Sequence, residues 1–161
     1  MGNHKLHIDD FEDLEYSLIA IHTNLENFRL GFFINKILNL ELRKNEIEIS
    51  IYIKDGKTSF ASLVYDDEIK AIYWNLLENK NEVIVNKTNP MIDLFSENKI
   101  KTIKKVYLLP EFKKVDYFLK INHSGAIDEQ EIISKLQTID RISTIYNVDI
   151  DTIKNKNNLI F

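Results

Sequence analysis

A single proline divides two strand-like runs in the second half of this 161-residue chain and limits how they can be joined. Tyr107-Leu108-Leu109 precedes Pro110, and an alternating run over 115–121 follows it. Because proline lacks an amide hydrogen and fixes its own φ, a central strand should stop at this position. Residues 111–114 are therefore predicted to form a turn, and the stretch 106–121 is the corner around which the chain is organised.

The strand after this corner is predicted to have two different faces, because side chains alternate across a strand with a period of two. One face carries Val115, Tyr117, Leu119 and Ile121, and the other carries Asp116, Phe118, Lys120 and Asn122. We expect Tyr117→Ala to be costly as a core truncation, and Asp116→Ala to be mild.

Two acidic residues flank the basic pair Lys113-Lys114 in the corner. In one interpretation Glu111 caps turn amides, and Asp116 is solvated or pairs with a lysine. In the other, both carboxylates belong to a site for a ligand or partner. The candidate binding residues are Pro110, Glu111, Asp116 and Tyr117. No catalytic residue, metal ligand or cofactor is predicted.

The segment Leu109-Pro110-Glu111-x-x-x-Val115-Asp116-Tyr117 resembles the pattern that names the IPExxxVDY family of bacterial proteins. Leu109 stands where that name has isoleucine, an apolar exchange that leaves the strand argument unchanged. The resemblance extends from Asp9-Asp10-Phe11 through 17–22 to the tail 156–161. It implies a bacterial source, but it carries over no catalytic residue.

Composition favours one globular domain spanning 1–161, with 44% apolar and 29% charged residues. The absence of cysteine excludes disulfides, thiolate catalysis and cysteine-based metal sites. The N-terminus has no apolar run of signal-peptide length, and no stretch approaches the length of a membrane span. The sequence therefore predicts a soluble cytoplasmic protein without a membrane partner.

Charge is unevenly spread along the chain, although the net charge is only −4. Residues 1–28 hold six acidic residues and one lysine, whereas residues 99–120 hold seven lysines and two acidic residues. Such asymmetry is typical of an anion-binding face, of two patches that meet, or of two solvated segments. Because only three arginines stand against 18 lysines, the pattern only weakly favours nucleic acid.

The first part of the chain predicts a strand followed by a helix. Tyr16–His22 is almost continuously apolar, which suits a strand covered on both faces. Thr23-x-x-Glu26 fits a capping box, with the helix running to about residue 40. Gly31 inside it is expected to permit close packing. The predicted apolar stripe is Leu30, Phe33, Ile34, Ile37 and Leu38, widened by Leu25, Phe28 and Phe32.

The middle of the chain predicts a β-meander. Isoleucines at 47, 49, 51 and 53 alternate with polar residues, and Asp55-Gly56 is a strong hairpin turn. Thr58–Tyr65 is the expected return strand and Ile69–Glu78 the third. Trp74 is expected in the core, and Asn79-Lys80-Asn81 is expected to turn the chain again.

A second strand–helix–strand unit follows the corner. Asp128 is a predicted helix N-cap ahead of an apolar stripe, and residues 142–150 alternate as a strand. His123 is expected to be exposed in a turn, His22 to be structural, and Phe161 to dock on the body. The predicted stripe comprises Ile132, Ile133, Leu136 and Ile139.

These patterns together predict an α+β fold: a mainly antiparallel sheet with two helices on one face, and two βαβ-like units bracketing the meander. The leading functional hypothesis is a non-enzymatic binding, regulatory or interaction module, expected to be a homodimer. Protein contact or self-association is favoured over a small ligand. The alternative is an RNA-associated accessory protein that uses the lysines of 99–120. A small enzyme is the third hypothesis, disfavoured because no catalytic constellation is visible.

Overall fold

The computed structural model of the chain describes residues 15–54, 56–87 and 100–161. The strands are β1 (Glu15–Thr23), β2 (Arg43–Lys44), β3 (Ile49–Ile53), β4 (Gly56–Phe60), β5 (Ser62–Asp67), β6 (Ile72–Glu78), β7 (Lys80–Lys87), β8 (Ile100–Tyr107), β9 (Tyr117–His123) and β10 (Ile142–Asn147). The α-helices are α1 (Asn27–Leu38) and α2 (Glu129–Leu136). Short 3₁₀ helices cover Pro110–Phe112, Ile150–Thr152 and Lys156–Leu159. The N-terminal acidic run before residue 15, Asp55 of the predicted hairpin turn and residues 88–99 lie outside the described residues.

Six strands form the main sheet in the order β10-β1-β9-β6-β5-β2, and every pair of neighbours is antiparallel. Strand β1 lies inside this sheet and is covered on both faces. Ile19 and Ile21 belong to one apolar cluster, whereas Leu18 and Ala20 belong to the other. The nearly continuous apolar run that begins at Tyr16 is explained by this double burial.

Both helices pack on the same face of the sheet. Leu30 and Ile34 of α1, with Ile133 and Leu136 of α2, join the cluster that contains Ile19 and Ile21. The Asp128 carboxylate accepts a hydrogen bond from the Glu131 amide at 2.9 Å and so caps α2, as its sequence predicts.

Helix α1 approaches the sheet closely at its one glycine. A β-carbon at Gly31 would collide with the Leu63 side chain of β5. A larger residue at this position would force the Leu63 side chain to move, which confirms the expectation of close contact here.

The phenylalanines of α1 correct one sequence-based expectation. Phe28 and Phe32 are 63% and 62% exposed, and Phe33 is 37% exposed. The helix buries only a narrow stripe of Leu30, Gly31 and Ile34, and at 3.6 residues per turn Phe28 and Phe32 lie on the opposite side of the helix. The predicted stripe was therefore too wide.

The start of α1 also differs from the predicted capping box. The helix begins at Asn27, and Glu26 occupies the N-cap without a side-chain hydrogen bond. Thr23 is the last residue of β1. Its hydroxyl accepts from the Leu25 amide at 3.2 Å and donates to the Arg141 carbonyl at 2.9 Å. Thr23 therefore tightens the turn that follows β1 and ties it to the start of β10.

The other face of the sheet is covered by two hairpins and by the C-terminal segment. Strands β3 and β4 pair with each other, and β7 pairs with β8, outside the main sheet. The prediction of one continuous strand over Thr58–Tyr65 is wrong. The strand is interrupted at Ala61, where the chain passes from the β3–β4 hairpin into the main sheet. No glycine or proline marks this break in the sequence. Trp74 is buried, as expected.

The fold is α+β, with a mainly antiparallel sheet and two helices on one face, as the periodicities predict. The second βαβ-like unit is split: β9 and β10 run parallel, and β1 lies between them. Among the described residues, no helix is long and apolar enough to cross a membrane.

Candidate functional site

The corner forms where the sequence predicts it. Strand β8 ends at Tyr107, the 3₁₀ helix Pro110–Phe112 follows, and β9 begins at Tyr117. Leu109 is fully buried beneath this turn. One detail differs from the prediction: Val115 packs in the cluster opposite to that of Tyr117, since regular strand geometry starts only at Tyr117.

Asn79 holds the corner in place, a role that its sequence does not reveal. The side chain is fully buried between β6 and β7. Its amide nitrogen donates to the carbonyls of Phe112 and Val115, both at 2.9 Å. Its amide oxygen accepts from the Leu109 backbone amide, also at 2.9 Å. One side chain thus satisfies the Val115 carbonyl and the Leu109 amide, and it adds a second donor to the Phe112 carbonyl, which also accepts from the Val115 amide at 3.0 Å.

Glu111 caps amides, although they are not those of its own turn. Its carboxylate accepts from the backbone amides of Lys154 and Asn155 at 2.7 and 3.0 Å, and from the Asn155 side chain at 2.8 Å. Partial burial acts to raise the pKa of Glu111, but the hydrogen bonds from Asn155 and Lys154 outweigh it and lower the pKa. Glu111 therefore fastens the C-terminal segment to the corner.

Replacing Glu111 with alanine should reduce the free energy of unfolding by about 1 kcal/mol at neutral pH, the usual cost of a lost cap. The folded pKa is lowered, so this stabilisation is present above the unfolded pKa and is lost as the pH falls through the folded value. Urea unfolding between pH 7 and pH 2.5 should therefore show wild type and variant converging in acid.

The matched control for this pH series is Glu68→Ala, which removes an exposed carboxylate in a turn. It should stay within about 0.5 kcal/mol of wild type. A constant difference between Glu111→Ala and wild type across the pH range would contradict the capping role.

Asp116 pairs with a lysine, as one of the two interpretations expects. Its carboxylate lies 2.6 Å from the Lys80 ammonium and accepts from the Thr23 backbone amide at 2.9 Å. The two side chains of the ion pair are 28% and 40% exposed, so the pair is worth little by itself. The bond to Thr23 is the more important one, because it joins the corner to the end of β1.

Tyr117 is a buried tyrosine with a satisfied hydroxyl. The phenol donates to the Leu25 carbonyl at 2.8 Å. Burial, followed by the charges of Glu78 and Asp116, raises the pKa of Tyr117 above its ordinary value. Tyr117 and Asp116 lie at an open pocket of about 240 Å³. The other residues that line this pocket are Thr23, Asn24, Leu25, Glu78 and Lys80.

The four candidate binding residues do not converge on one site. Pro110 is exposed, and Glu111 is bonded to the C-terminal segment. Only Asp116 and Tyr117 share a pocket. His22, which is expected from the sequence to be structural, packs its ring against Tyr146 at 5.8 Å between centroids.

A polar cluster inside the sheet includes a serine next to a histidine. Ser17 Oγ lies 3.2 Å from His123 Nε2, and Ser17 donates a hydrogen bond to the Glu129 carboxylate. His123 is 8% exposed, which corrects the prediction that it is exposed in a turn. His123 is the last residue of β9, and its partner Ser17 is bonded to Glu129 of α2.

The direction of these hydrogen bonds is unsuited to nucleophilic catalysis. The Ser17 hydroxyl has one proton, which is directed to Glu129 and not to Nε2 of His123, while Nδ1 of His123 donates to the Gly125 carbonyl. A nucleophilic serine would instead direct its proton to the base. The Asn147 side chain holds the second oxygen of Glu129. The cluster therefore ties β1, β9, α2 and β10 together.

Lys120 is the most unusual charged residue in the described part of the chain. It lies in the middle of β9, is 6% exposed, and donates to the Leu159 carbonyl at 2.7 Å. Its ammonium lies over the rings of Tyr16 and Phe161, at 5.1 and 4.6 Å from their centroids. Burial lowers the pKa of Lys120. Phe161 thus contacts the body, as expected, although it remains 53% exposed.

A cleft of about 470 Å³ lies beside Lys120, between the β3–β4 hairpin and the C-terminal segment. Phe161 and Ile160 form one wall, and Asn75 and Tyr73 of β6 form the floor. The hairpin contributes Ile49, Ser50, Ile51 and Tyr52 to the opposite wall. Sequence reasoning counted Lys120 among surface lysines; its position between Leu119 and Ile121 in an apolar strand was the signal it missed.

The basic segment 99–120 is less basic at the surface than its sequence indicates, because Lys120 is buried. Lys101, Lys105, Lys113 and Lys114 are exposed. Within the described ranges, no group of three or more His, Asp or Glu side chains is arranged to hold a metal ion.

No protein-family model matches this chain, and neither a curated protein nor a solved structure matches it. The resemblance of residues 109–117 to the IPExxxVDY pattern therefore stays a prediction. The roles of individual residues rest on the geometry of this chain alone.

Proposed function

We propose that this chain is a cytoplasmic, non-enzymatic interaction module that works as a homodimer, joined through the outer edge of β10. The observation that carries the proposal is the chemistry of that edge. Ile142-Ser-Thr-Ile-Tyr-Asn147 contains no charge and no proline, and four of its six residues are exposed. Natural sheets usually protect a free edge with charges, proline or bulges, since an unprotected edge pairs with another chain.

The edge has unpaired backbone groups to offer. Among the described residues, β10 pairs only with β1. The Val148 backbone amide donates to the Leu18 carbonyl at 2.7 Å, so this amide points toward β1. Because backbone groups alternate along an antiparallel strand, the amides of Ile145 and Asn147 point away from β1.

A second copy fits this edge better than an unrelated strand. If two β10 strands pair antiparallel about a twofold axis at Ile145, Arg141 of each copy lies opposite Asp149 of the other. Both residues are exposed. This register brings opposite charges together at the two ends and places no like charges opposite each other, so a homodimer with one continuous sheet is favoured.

The contacts of the corner support a binding role over catalysis. Glu111 and Asp116 are occupied by backbone amides, and the proton of Ser17 is directed away from His123. These acidic and nucleophilic groups stabilise the fold. The proposed function therefore depends on binding through the protein surface.

The double variant Thr144→Lys/Tyr146→Lys should convert the dimer to a monomer. Both side chains are exposed, so the fold should tolerate the change. In the proposed register Thr144 faces Tyr146 of the other copy, and four lysines would then meet at the interface. Sedimentation equilibrium at several concentrations measures the effect, and the dissociation constant should rise at least tenfold.

Two matched comparisons sharpen this test. Ile69→Lys adds charge at a residue that is 97% exposed and far from β10 in the sheet order, so it should leave the association unchanged. Phe28→Ser/Phe32→Ser removes exposed apolar surface from α1 and should also have no effect. Loss of the dimer in this helix variant, or its persistence in the β10 variant, would refute the proposed interface.

Ribonuclease treatment separates the RNA alternative. If the complex dissociates after ribonuclease treatment and its affinity for RNA falls steeply with salt, these two results together would refute the homodimer. They would support RNA binding through exposed lysines, which are Lys101, Lys105, Lys113 and Lys114. Salt-insensitive association that survives treatment supports the strand interface.

A further inference from the structure

The ammonium of Lys120 is buried without a matching negative charge among the described residues. It is 6% exposed, and the Leu159 carbonyl is its one hydrogen-bond acceptor in the described part of the chain. An ammonium has three donors, so two are left facing the rings of Tyr16 and Phe161. A buried charge is costly unless an opposite charge or further hydrogen bonds compensate it.

The cleft lies next to this ammonium, separated from it by Phe161. Phe161 lines the cleft and also covers Lys120, with 4.6 Å between the ring centroid and Nζ. Asn75, which lies in the cleft floor, is the cross-strand neighbour of Lys120 in the sheet. Since directly opposed residues have Cβ atoms about 5 Å apart, the stem of Lys120 starts beside the cleft floor, and the Phe161 ring contacts both the cleft and the ammonium.

The C-terminal segment that covers Lys120 is anchored at its beginning, whereas its last two residues make fewer contacts. Glu111 anchors the C-terminal segment at Lys154 and Asn155, and Leu159 is 2% exposed. Beyond Leu159, Ile160 and Phe161 are 77% and 53% exposed. A rotation of the Phe161 ring would therefore open a path from the cleft to Nζ without unfolding the anchored part of the segment.

We propose that this cleft binds a small organic monocarboxylate, with its carboxylate on Lys120 and its apolar body between the β3–β4 hairpin and Ile160. The volume of about 470 Å³ lies within the usual range for small-molecule sites. Ile49, Ile51 and Ile160 supply apolar contacts. The site goes beyond the interaction module proposed above, because it lies on the opposite face of the sheet from the helices and away from the edge of β10.

The lining favours a monocarboxylate over a phosphate. The described residues that line the cleft include Glu48 but no lysine or arginine, so Lys120 beside the floor is the cation that the proposed site uses. A phosphate dianion requires several strong donors, commonly arginine, and Glu48 would repel its two charges more strongly than the single charge of a carboxylate. A single negative charge on an apolar body matches one lysine and the isoleucine wall.

Octanoate is the probe for the first test, with octanamide and inorganic phosphate as matched comparisons. Isothermal titration calorimetry on the full chain should detect octanoate at least tenfold more tightly than octanamide, and no binding of phosphate. Equal binding of octanoate and octanamide would overturn the role of Lys120. Absence of octanoate binding at millimolar concentration would overturn the site.

Lys120→Met tests the residue directly, because methionine keeps an apolar stem of similar length and removes the charge. The variant should stay folded by circular dichroism and should lose octanoate binding at least tenfold. Lys113→Met, a change at an exposed lysine in the corner, should bind octanoate as wild type does. Unchanged binding in Lys120→Met would overturn the proposal.

A measurement on the wild-type protein keeps the test independent of folding effects. With lysine labelled by carbon-13, the Lys120 side-chain resonance should shift when octanoate is added and should stay in place with octanamide. Identical behaviour with the two probes would refute a carboxylate contact. This readout reports on the cleft alone, so its failure leaves the β10 interface standing, and dimer loss leaves the cleft standing.

Discussion

Replacing Asn79 with alanine should lower the free energy of unfolding by about 3 kcal/mol or more, one of the two largest effects expected for this protein. The change leaves the Val115 carbonyl and the Leu109 amide without their partner, and it removes one of the two donors to the Phe112 carbonyl. Each buried backbone group left unpaired costs about 1–3 kcal/mol. Urea unfolding followed by circular dichroism measures the loss.

Asn79→Asp distinguishes the contribution of the amide oxygen from that of the amide nitrogen. Aspartate can still accept from the Leu109 amide, but it cannot donate to the two carbonyls, and it brings a charge into a fully buried place. We therefore expect a loss at least as large as that of Asn79→Ala. Asn24→Ala, at an exposed position, serves as the control and should be nearly neutral. A loss below about 1 kcal/mol for Asn79→Ala would mean that the corner is held by other contacts.

Tyr117→Ala should cost about 3–5 kcal/mol, because it removes a large aromatic ring from the core beneath the helices. Tyr117→Phe keeps the ring and removes only the hydrogen bond to the Leu25 carbonyl, so its cost should be about 1 kcal/mol. The difference between the two variants measures packing separately from hydrogen bonding.

Asp116→Ala is the comparison within the same corner. Its carboxylate is partly exposed and contributes an ion pair to Lys80 and one bond to the Thr23 amide, so a loss of about 1 kcal/mol is expected. Equal losses for Asp116→Ala and Tyr117→Ala in the same urea experiment would contradict the view that Tyr117 is the structural centre of the corner.

Periodicity in the sequence predicted the elements that depend on local pattern. The run from Tyr16, the alternation after Pro110 and the cap at Asp128 each correspond to a strand or helix in the structure. Local pattern shows which residues share a face, but it does not show how much of that face another layer covers. Phe28 and Phe32 continue the apolar pattern of α1, yet they lie on the side of the helix that faces away from the sheet.

The residues of most interest were the hardest to predict, because their roles come from partners distant in sequence. Asn79 reads as a turn residue, and it bonds to groups more than 30 positions away. Lys120 reads as part of a basic surface, and it is buried by a segment 39 positions later. Single-sequence reasoning assigns polar residues to solvent by default, so buried polar residues with tertiary partners were missed.

The position of β1 has a consequence for how this chain is made in the cell. Strand β1 is synthesised before both of its neighbours in the sheet, which are β9, beginning at Tyr117, and β10, ending at Asn147. Its apolar side chains therefore have no sheet partner while the ribosome is translating the residues between β1 and β9. We expect folding to be slow and to complete only after β10 has emerged, because these pairings join residues far apart in sequence.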